Sequence, residues 1–282
     1  MSKQTKYDKI SLLGVEVDAL TIKQAIDYIT ERAADHSQPA GYVVKPYVEF
    51  MDRIERDESL RDILNQAELC LPDGVALIWA AAYLYAGKRS GIRFWRTLGQ
   101  IVTQPDALKW PLPERIAGIN FTWPLLEAAQ RQHISVFLIG QNHPKDIEAV
   151  AATIRKQLPK LDIAGTFYGR DFSRPSGEVS EAWIQDALTA IRRSRPDIVL
   201  VGMGFPLQER VMARLAPQLD HGLLIGEGGT FDYEQFGGRR QKAPGVMQRL
   251  GLEWLWRLIL EPKRIGRQLA IPRFITRIWR TR

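Results

Sequence analysis

Residues 197–215 read DIVLVGMGFPLQERVMARL, and this stretch decides the fold. Positions 198–201 form an unbroken run of branched apolar residues that ends at Gly202, which is typical of a strand buried on both faces of a sheet. The apolar residues of 207–215 recur at the spacing of an amphipathic helix. A buried strand that leads directly into a helix is the repeating unit of a parallel α/β sheet.

The same alternation of strand and helix extends through the chain. Strand-like runs at 135–140, 161–168 and 223–226 alternate with helical patterns at 144–158 and 178–193. The first part has strand-like runs at 42–50 and 69–71, helical patterns at 21–34 and 58–66, and an edge hairpin at 10–17. We therefore predict an α/β fold with a Rossmann-like parallel sheet, helices on both faces and a helical, basic C-terminal appendage. The predicted catalytic α/β domain spans 1–245 and the appendage 246–282, with a basic aromatic insertion at about 88–111.

The positive charge of the chain is concentrated in two segments. The formal net charge is +7, and residues 253–282 alone hold seven Arg and one Lys against two Glu. Residues 88–110 hold five basic residues and one acid, and both segments contain tryptophan. Such local basicity indicates an anionic partner. For 88–110 the alternatives are a solvated loop whose aromatic residues dock on the core and an interfacial membrane contact.

Composition and hydropathy point to a cytoplasmic protein. The single cysteine, Cys70, rules out an internal disulfide, and we interpret it as a core residue. The N-terminus has no apolar core of signal-peptide length, and the longest apolar stretch, 75–86, is too short to span a bilayer. We expect a protein that stays in the cytoplasm and lies peripherally on the membrane.

Four loops at predicted strand ends hold the candidate functional residues, because ligands of parallel α/β sheets bind beyond the carboxyl ends of the strands. These loops are the turn with Asp73 at 71–75, the glycine turn at 202–209, the glycine-rich segment at 226–232 and the basic segment at 238–244. Glycine turns that lead into helices suit phosphate, because free N–H groups and the helix dipole both favour an anion.

Other ligand classes lack their motifs. The Gly202-x-Gly204 turn lacks the third glycine of a dinucleotide fingerprint, and the chain has no P-loop motif. No Asp-x-Asp pair is present for a metal-bound nucleotide sugar. The four histidines share no zinc-binding spacing and are expected at the surface: His36, His133, His143 and His221. We therefore expect no metal site and no cofactor, and predict metal-independent chemistry.

Asp73 is the best-placed carboxylate for such chemistry. A hydroxyl nucleophile needs a general base, and a nucleotide diphosphate leaving group needs positive charge, which arginine supplies through paired hydrogen bonds. The alternative interpretation makes Asp73 the N-cap of a helix that starts near Val75. The two roles do not exclude each other.

Taken together, the motifs resemble the WecG/TagA/CpsF glycosyltransferases, glycosyltransferase family twenty-six. The resemblance runs from about residue 10 to 274 and includes PDG (72–74), ERIAG (114–118), FLIG (137–140), GxGFPLQE (202–209) and GGTFDY (228–233). It continues in the tail with EWLxR (253–257) and EPxRxxR (261–267).

The resemblance implies an inverting, metal-independent transfer of a sugar from a UDP-sugar donor to a polyprenyl-diphosphate-linked acceptor. The sugar would be of the N-acetylmannosamine type, its uronate or a hexose. The reaction would occur on the inner face of the plasma membrane, during cell-surface polysaccharide assembly. Asp73 would be the base, and the appendage would cover the site and bind the diphosphate through Arg257, Arg264 and Arg267. The implied partners are the donor, the acceptor and an anionic membrane surface, with a possible homo-oligomer and no nucleic acid.

The loops and the resemblance together give the donor-binding set: Lys45, Tyr47, Asn120, Gly202, Gly204, Gln208, Glu209, Gly228, Gly229, Asp232 and Lys242. The resemblance has departures, because Lys45 and Tyr47 stand where many relatives have Thr and Asn, and Asn120 stands where an aspartate is usual. These departures imply a different donor sugar or acceptor. The segment 88–110 is longer than in the family, and we expect it to contribute to membrane or acceptor binding.

The end of the tail is expected to anchor the protein on the membrane. Basic residues near an anionic leaflet each contribute about 1 kcal/mol, and apolar side chains add burial. The anchor residues would be Arg273, Phe274, Arg277, Trp279 and Arg280. The alternative is a solvated basic helix.

Two other functions compete with glycosyl transfer. The departures at Lys45 and Tyr47 fit a nucleotide-sugar-binding protein without catalysis. The basic tail fits a nucleic-acid-binding protein, although the charge is confined to two segments and the aromatic residues match no RNA-binding motif.

Overall fold

The computed structural model describes residues 7–140, 144–168, 179–249, 253–262, 266 and 269–281. Its strands are β1 (Lys9–Leu12), β2 (Val15–Asp18), β3 (Gly41–Val44), β4 (Leu69–Cys70), β5 (Val136–Gly140), β6 (Ile163–Tyr168), β7 (Ile198–Gly202) and β8 (Leu223–Gly226). The first two strands pair as an antiparallel hairpin. The other six form one sheet in the order β4-β3-β8-β7-β5-β6, and every neighbouring pair is parallel. The predicted Rossmann-like parallel sheet is thus confirmed.

The helices connect the strands and continue beyond the sheet. They are α1 (Ile22–Ala34), α2 (Val48–Arg53), α3 (Glu58–Gln66), α4 (Val75–Tyr85), α5 (Gly91–Thr103), α6 (Gly118–Gln132), α7 (Pro144–Gln157), α8 (Glu181–Ser194), α9 (Leu207–Leu215), α10 (Gly245–Arg249), α11 (Glu253–Leu260) and α12 (Ala270–Arg280). None of the described helices has the length and hydrophobicity that a bilayer-spanning segment needs.

A hydrophobic core lies on each face of the sheet. Side chains alternate along a strand, so Val43 and Leu138 face one core while Val44 and Ile139 face the other. The first core is covered by α1, α6 and α7. The second is covered by α2 to α5, α8, α9 and α12. Helices therefore lie on both faces, as the sequence predicts.

Two segments differ from their predicted structure. The strand predicted at 42–50 ends at Val44, and α2 begins at Val48. Pro46 lacks the N–H that a central strand needs for its ladder, which explains the early end. The segment 88–110 contains α5, whose first turn is capped by the Ser90 hydroxyl accepting from the N–H of Arg93 at 3.2 Å. This segment is therefore largely helical and is not a loop.

The last helix packs on the body of the protein. Ala270, Phe274 and Ile278 lie four residues apart on one side of α12 and are buried in the second core. They contact the region of α2 and α4. This end of the appendage therefore shares its core with the α/β domain.

Candidate active site

The loops that follow the strands meet at one edge of the sheet. Because all six strands are parallel, their carboxyl ends point the same way, and ligands of such sheets bind there. A cleft of about 620 Å³ opens at this edge, beyond β5, β7 and β8. Its lining includes three residues of the predicted donor-binding set, Gly202, Gly228 and Asp232. The end of α11 also contributes, through Leu260 and Glu261.

Glycines form the floor of this cleft because other residues would not fit. A Cβ atom on Gly202 would lie 2.5 Å from the ring of Phe231, closer than packed carbon atoms approach. Gly228 has a φ of 56°, in the left-handed region that glycine adopts without strain. Because these positions carry no side chain, a ligand can approach the backbone at the ends of β7 and β8.

Gln208 joins the two glycine loops. Its Oε1 accepts from the N–H of Gly204 at 3.2 Å and from the N–H of Gly228 at 2.8 Å, while its Nε2 donates to Oε1 of Glu209 at 2.8 Å. Both side chains are buried, with Gln208 4% exposed and Glu209 fully buried. In this structure Gln208 and Glu209 thus hold the loops that line the cleft.

Burial makes Glu209 an unusual acid. Removal from water raises the pKa of its carboxyl group from 4.5 to about 8, against the opposing hydrogen bond from Gln208. Its Oε2 is buried and has no hydrogen-bond partner among the described residues. The neutral acid is therefore the dominant form of Glu209 at pH 7.

Arg240 connects the cleft to the appendage. Its guanidinium bonds to Asp232 at 3.1 Å, to the carbonyl oxygen of Gly229 at 3.2 Å and to Glu261 at 3.1 Å. It also lies 5.5 Å from the ring centre of Tyr233. The sequence places Arg240 in a basic loop, but Arg240 was not predicted as a site residue because its partners lie 8, 11 and 21 residues away along the chain. Lys242, which was predicted to bind the donor, is exposed.

The turn with Asp73 is fixed by backbone bonds from two other segments. The N–H of Asp73 donates to the carbonyl of Pro46 at 3.0 Å, and the N–H of Ile116 donates to the carbonyl of Pro72 at 2.7 Å. A Cβ atom on Gly74 would touch Tyr47 at 3.5 Å. These bonds bring the PDG and ERIAG motifs together with the segment after β3.

Asp73 is partly exposed, and it does not occupy the N-cap position of α4. The N-cap residue of α4 is Gly74, which has no side chain to form a cap bond. The interpretation of Asp73 as the N-cap residue is therefore wrong. Asn120, near the start of α6, is also exposed at this end of the sheet.

Lys45 takes part in a buried ion pair. Its ammonium donates to Glu227 at 2.8 Å and lies 5.0 Å from the ring centre of Phe121. Thr122 donates to the same oxygen of Glu227 at 2.5 Å, while Oε1 of Glu227 is buried with no partner among the described residues. Both charged side chains are almost fully buried, at 4% and 0% exposure. Lys45 therefore neutralises Glu227 and, as placed here, is not an open cation for a ligand.

This ion pair lies between the two halves of the candidate site. Glu227 directly precedes the cleft residue Gly228, and Lys45 lies two residues before Tyr47 at the Asp73 turn. The sequence missed Glu227 and Thr122. A signal for Glu227 was available, because an acid within a glycine-rich loop after a strand is a candidate polar site residue.

The basic residues of the appendage occupy different environments. Arg264, Arg267 and the side chain of Arg257 lie outside the described residues. Arg273 bonds to Asp52 at 3.2 Å, and Arg277 bonds to Glu55 and to the carbonyl of Met51. The anchor residues Trp279 and Arg280 are exposed.

The prediction that Phe274 helps to anchor the protein on a membrane requires a correction. It is fully buried in the second core, so in this structure its side chain packs on protein and does not reach a membrane. Sequence periodicity identified the apolar side of α12 but could not show what covers it.

Comparison with known proteins shows whole-length similarity. The model of the family described as "Glycosyl transferase WecG/TagA/CpsF family" matches residues 10–105 and 99–282. Two similar proteins are named N-acetylglucosaminyldiphosphoundecaprenol N-acetyl-beta-D-mannosaminyltransferase and come from Staphylococcus aureus strains NCTC 8325 and MRSA252. Each is 26% identical over 278 residues, which cover 99% of this chain and 95% of the relative.

Glu209 gives the stability of the protein a specific pH dependence. Between pH 4.5 and about 8 the native state retains a proton that the unfolded state has released, so the free energy of unfolding falls as the pH rises. The slope contributed by one such group is at most about 1.4 kcal/mol per pH unit. We expect Glu209→Gln to remove this contribution, as measured by urea unfolding at pH 5, 6, 7 and 8.

The control for this experiment is Glu148→Gln, which makes the same substitution at an exposed position on α7. Equal pH slopes for the wild type and Glu209→Gln would contradict the assignment of a buried neutral acid.

The Lys45–Glu227 pair predicts a strongly non-additive mutant cycle. Lys45→Met leaves Glu227 as a buried charge without its cation, and we expect a loss of about 3–5 kcal/mol in the free energy of unfolding. Adding Glu227→Gln removes that charge and should restore most of the loss. Urea unfolding of the two single variants and the double variant measures the coupling.

The exposed pair Lys23–Asp27, also at hydrogen-bond distance, provides the matched control. Lys23→Met should cost only about 0.3–0.5 kcal/mol because water screens that pair. A similar small loss for Lys45→Met would show that the Glu227 charge is not carried in the folded protein.

Proposed function

Because the chain belongs to the WecG/TagA/CpsF family of glycosyl transferases, we propose that it moves an N-acetylmannosamine-type sugar from a UDP-sugar to N-acetylglucosamine linked through a diphosphate to undecaprenol. The relatives that it matches over nearly their whole length are named for transfer to that acceptor. The observation that carries the proposal is that the Asp73 turn and the glycine-lined cleft lie at the same edge of the sheet, beyond the carboxyl ends of the parallel strands.

The cleft is proposed to hold the UDP part of the donor. Its volume of about 620 Å³ is within the usual range for small-molecule sites. In the glycine loops no side chain keeps a diphosphate away from the backbone at the ends of β7 and β8. Arg239 and Arg240 line the same cleft and supply cationic N–H donors. In this proposal, arginines take the place of a divalent ion in stabilising the leaving diphosphate, and Arg257, Arg264 and Arg267 complete the set.

Asp73 is proposed as the general base. Its carboxylate accepts the proton of an acceptor hydroxyl while the hydroxyl oxygen attacks the anomeric carbon of the donor sugar. The bond from that carbon to the UDP oxygen breaks on the opposite side, and UDP leaves with the electron pair. The configuration at the anomeric carbon is inverted in this single displacement. The backbone bonds to Pro46 and Ile116 orient the turn from which Asp73 acts.

Lys45 and Gln208 are proposed to act indirectly. The ion pair of Lys45 with Glu227 fixes the start of the loop that contains Gly228, and Gln208 fixes Gly204 against the same loop. Both residues would therefore shape the donor site by fixing its loops, without binding the donor themselves. Tyr47 lies next to Gly74, since a Cβ atom there would be 3.5 Å from it, and so is close enough to the Asp73 turn to contact the acceptor or the sugar.

A lipid-linked acceptor requires contact with a membrane, and one surface has suitable chemistry. Ile92, Trp95 and Trp279 are 86%, 69% and 46% exposed, and the exposed Arg96 and Arg280 lie beside them in the sequence. We call these five residues the aromatic face. The buried ring of Phe94 contacts both Trp95 and Trp279, at 5.3 and 4.6 Å between ring centres, so α5 and α12 meet there.

The aromatic face is proposed to bind an anionic membrane. Tryptophan is favoured at the boundary between lipid and water, and arginine is attracted to anionic headgroups. In this arrangement α5 of the basic insertion and the end of the appendage would contact the membrane together, and the protein would be peripheral on the cytoplasmic side.

A transfer assay tests the reaction directly. Purified protein on liposomes meets a panel of UDP-sugars and lipid-diphosphate-linked N-acetylglucosamine, with EDTA present. We expect product from a UDP-sugar of the N-acetylmannosamine type, and a loss of at least about 100-fold in kcat for Asp73→Asn, which retains the shape of the side chain but loses its basicity. Asp186→Asn, which changes an exposed carboxylate on α8, serves as the carboxylate control.

The same assay can refute the proposal. Equal turnover by the wild type and Asp73→Asn would exclude Asp73 as the base. UDP binding without product from any donor would favour the nucleotide-sugar-binding protein without catalysis. Product that forms only when EDTA is left out would contradict metal-independent transfer.

The aromatic face predicts a separate effect on membrane affinity. We expect Trp95→Ser combined with Arg96→Gln to weaken binding to phosphatidylglycerol vesicles by about tenfold or more. The double variant loses one positive charge and one exposed ring that would be buried in the membrane interface. Turnover with a short-chain, water-soluble acceptor should remain unchanged. Sedimentation with vesicles measures the first quantity, and the transfer assay the second.

Arg131→Gln is the control, because it removes an exposed arginine near the end of α6, outside the aromatic face. If the double variant and Arg131→Gln bind the vesicles equally well, another surface makes the membrane contact.

A further inference from the structure

A cluster of two histidines and one aspartate lies at the amino-terminal edge of the sheet, opposite the candidate active site. His36 follows α1, Asp197 directly precedes β7 and His221 precedes β8. No sequence pattern indicates this cluster, because 161 residues separate His36 from Asp197. The expectation that the histidines are scattered is wrong for His36 and His221, which lie together in this cluster.

The three side chains are close enough to share one ion. Nε2 of His36 lies 2.6 Å from Oδ1 of Asp197. The imidazole rings of His36 and His221 are 4.4 Å apart between their centres. One ring nitrogen of each histidine and one oxygen of Asp197 all lie within 4.8 Å of one another. Nε2 of His221 is buried and has no hydrogen-bond partner among the described residues.

The fold holds Asp197 in place before any ion binds. Its Oδ2 accepts from both the backbone N–H and the hydroxyl of Ser135, each at 2.7 Å. Its own N–H donates to the Ser135 hydroxyl at 3.1 Å. A carboxylate that is fixed in this way by a neighbouring residue has the outer hydrogen bonds that metal ligands usually have.

The position of His221 is also fixed. The next residue, Gly222, has a φ of 98°, and a Cβ atom there would lie 3.0 Å from the carbonyl oxygen of Asp197. That carbonyl accepts from the N–H of Leu223 at 2.9 Å, so the two loops are held together. His36 is the exposed partner by contrast, with 54% of its side chain accessible to solvent.

We propose that His36, Asp197 and His221 bind a divalent transition-metal ion of the zinc class. Two imidazole nitrogens and one carboxylate oxygen form a common three-ligand set for zinc, and water would occupy the fourth position. Binding replaces the hydrogen bond between His36 and Asp197, and its proton leaves to solvent. An ion pair alone would account for His36 and Asp197 but not for the buried nitrogen of His221.

The bound ion would join three separate parts of the chain. It would connect the end of α1 to the starts of β7 and β8, and so stabilise the folded state over the unfolded chain. Its place at the opposite edge of the sheet makes it independent of sugar transfer, and the proposal does not rest on the proposed function.

Zinc titration of full-length protein without a polyhistidine tag tests the site. The protein is first treated with EDTA and then exchanged into chelator-free buffer, and zinc affinity is read by competition with a chromophoric chelator. We expect one zinc ion per chain, and affinity lower by about 100-fold or more in His36→Ala and in His221→Ala. His133→Asn is the matched control, because it removes a histidine elsewhere at a position with φ of 57°, which asparagine tolerates.

Two further readouts separate binding from folding. Cobalt(II) should give the visible absorption of a low-symmetry nitrogen and oxygen site in the wild type and in His133→Asn, but not in His36→Ala. Zinc should raise the Tm of the wild type and leave the Tm of His36→Ala unchanged. Since His36 is exposed, this variant is expected to fold, and far-UV circular dichroism checks that it does.

The proposal is overturned if the wild type binds no zinc at one ion per chain. It is also overturned if His36→Ala and His221→Ala bind zinc as tightly as the wild type. Sugar transfer that persists in EDTA leaves this proposal intact, and a failed transfer assay does not affect the zinc titration.

Discussion

The buried pair between Lys45 and Glu227 joins the two halves of the chain at the centre of the sheet. Lys45 follows β3 and Glu227 follows β8, so two residues 182 positions apart meet where adjacent strands end. Desolvation makes either charge costly without the other, so each helps to fix the loop that contains its partner. On one side of the pair lies the Asp73 turn and on the other the glycine loop of the cleft. The alignment of the candidate site depends on this contact.

The sequence predicted the sheet well where burial leaves a strong pattern. The apolar runs of β5 and β7 are buried on both faces, and their composition alone identifies them. The strand predicted through residues 42–50 was too long, because the apolar residues of α2 continue the pattern of β3 across Pro46. The segment 88–110 was also ambiguous, since its arginines and tryptophans obscure the few positions that face the core.

Candidate site residues were predictable where they lie in local motifs, and their contacts were not. Asp73, Gly202 and Gly228 stand in loops that sequence spacing places at strand ends. Lys45 was assigned to the donor-binding set, and its acidic partner Glu227 was not recognised because it is distant in sequence. The histidine cluster was not predicted for the same reason, because its members are also far apart in sequence. For Phe274, the amphipathic pattern was correct, but an apolar helix side packs equally well on lipid or on protein. Only the three-dimensional structure shows which surface covers it.

Arg240 has a consequence for how a ligand and the appendage influence each other. Its guanidinium bonds at once to Asp232 in the cleft and to Glu261 after α11. An anion in the cleft that bonds to Arg240 competes with Glu261 for the same N–H groups. Occupancy of the cleft and attachment of the appendage are therefore thermodynamically linked, and each changes the free energy of the other by an equal amount. One arginine thus makes the attachment of the appendage depend on whether an anion occupies the cleft.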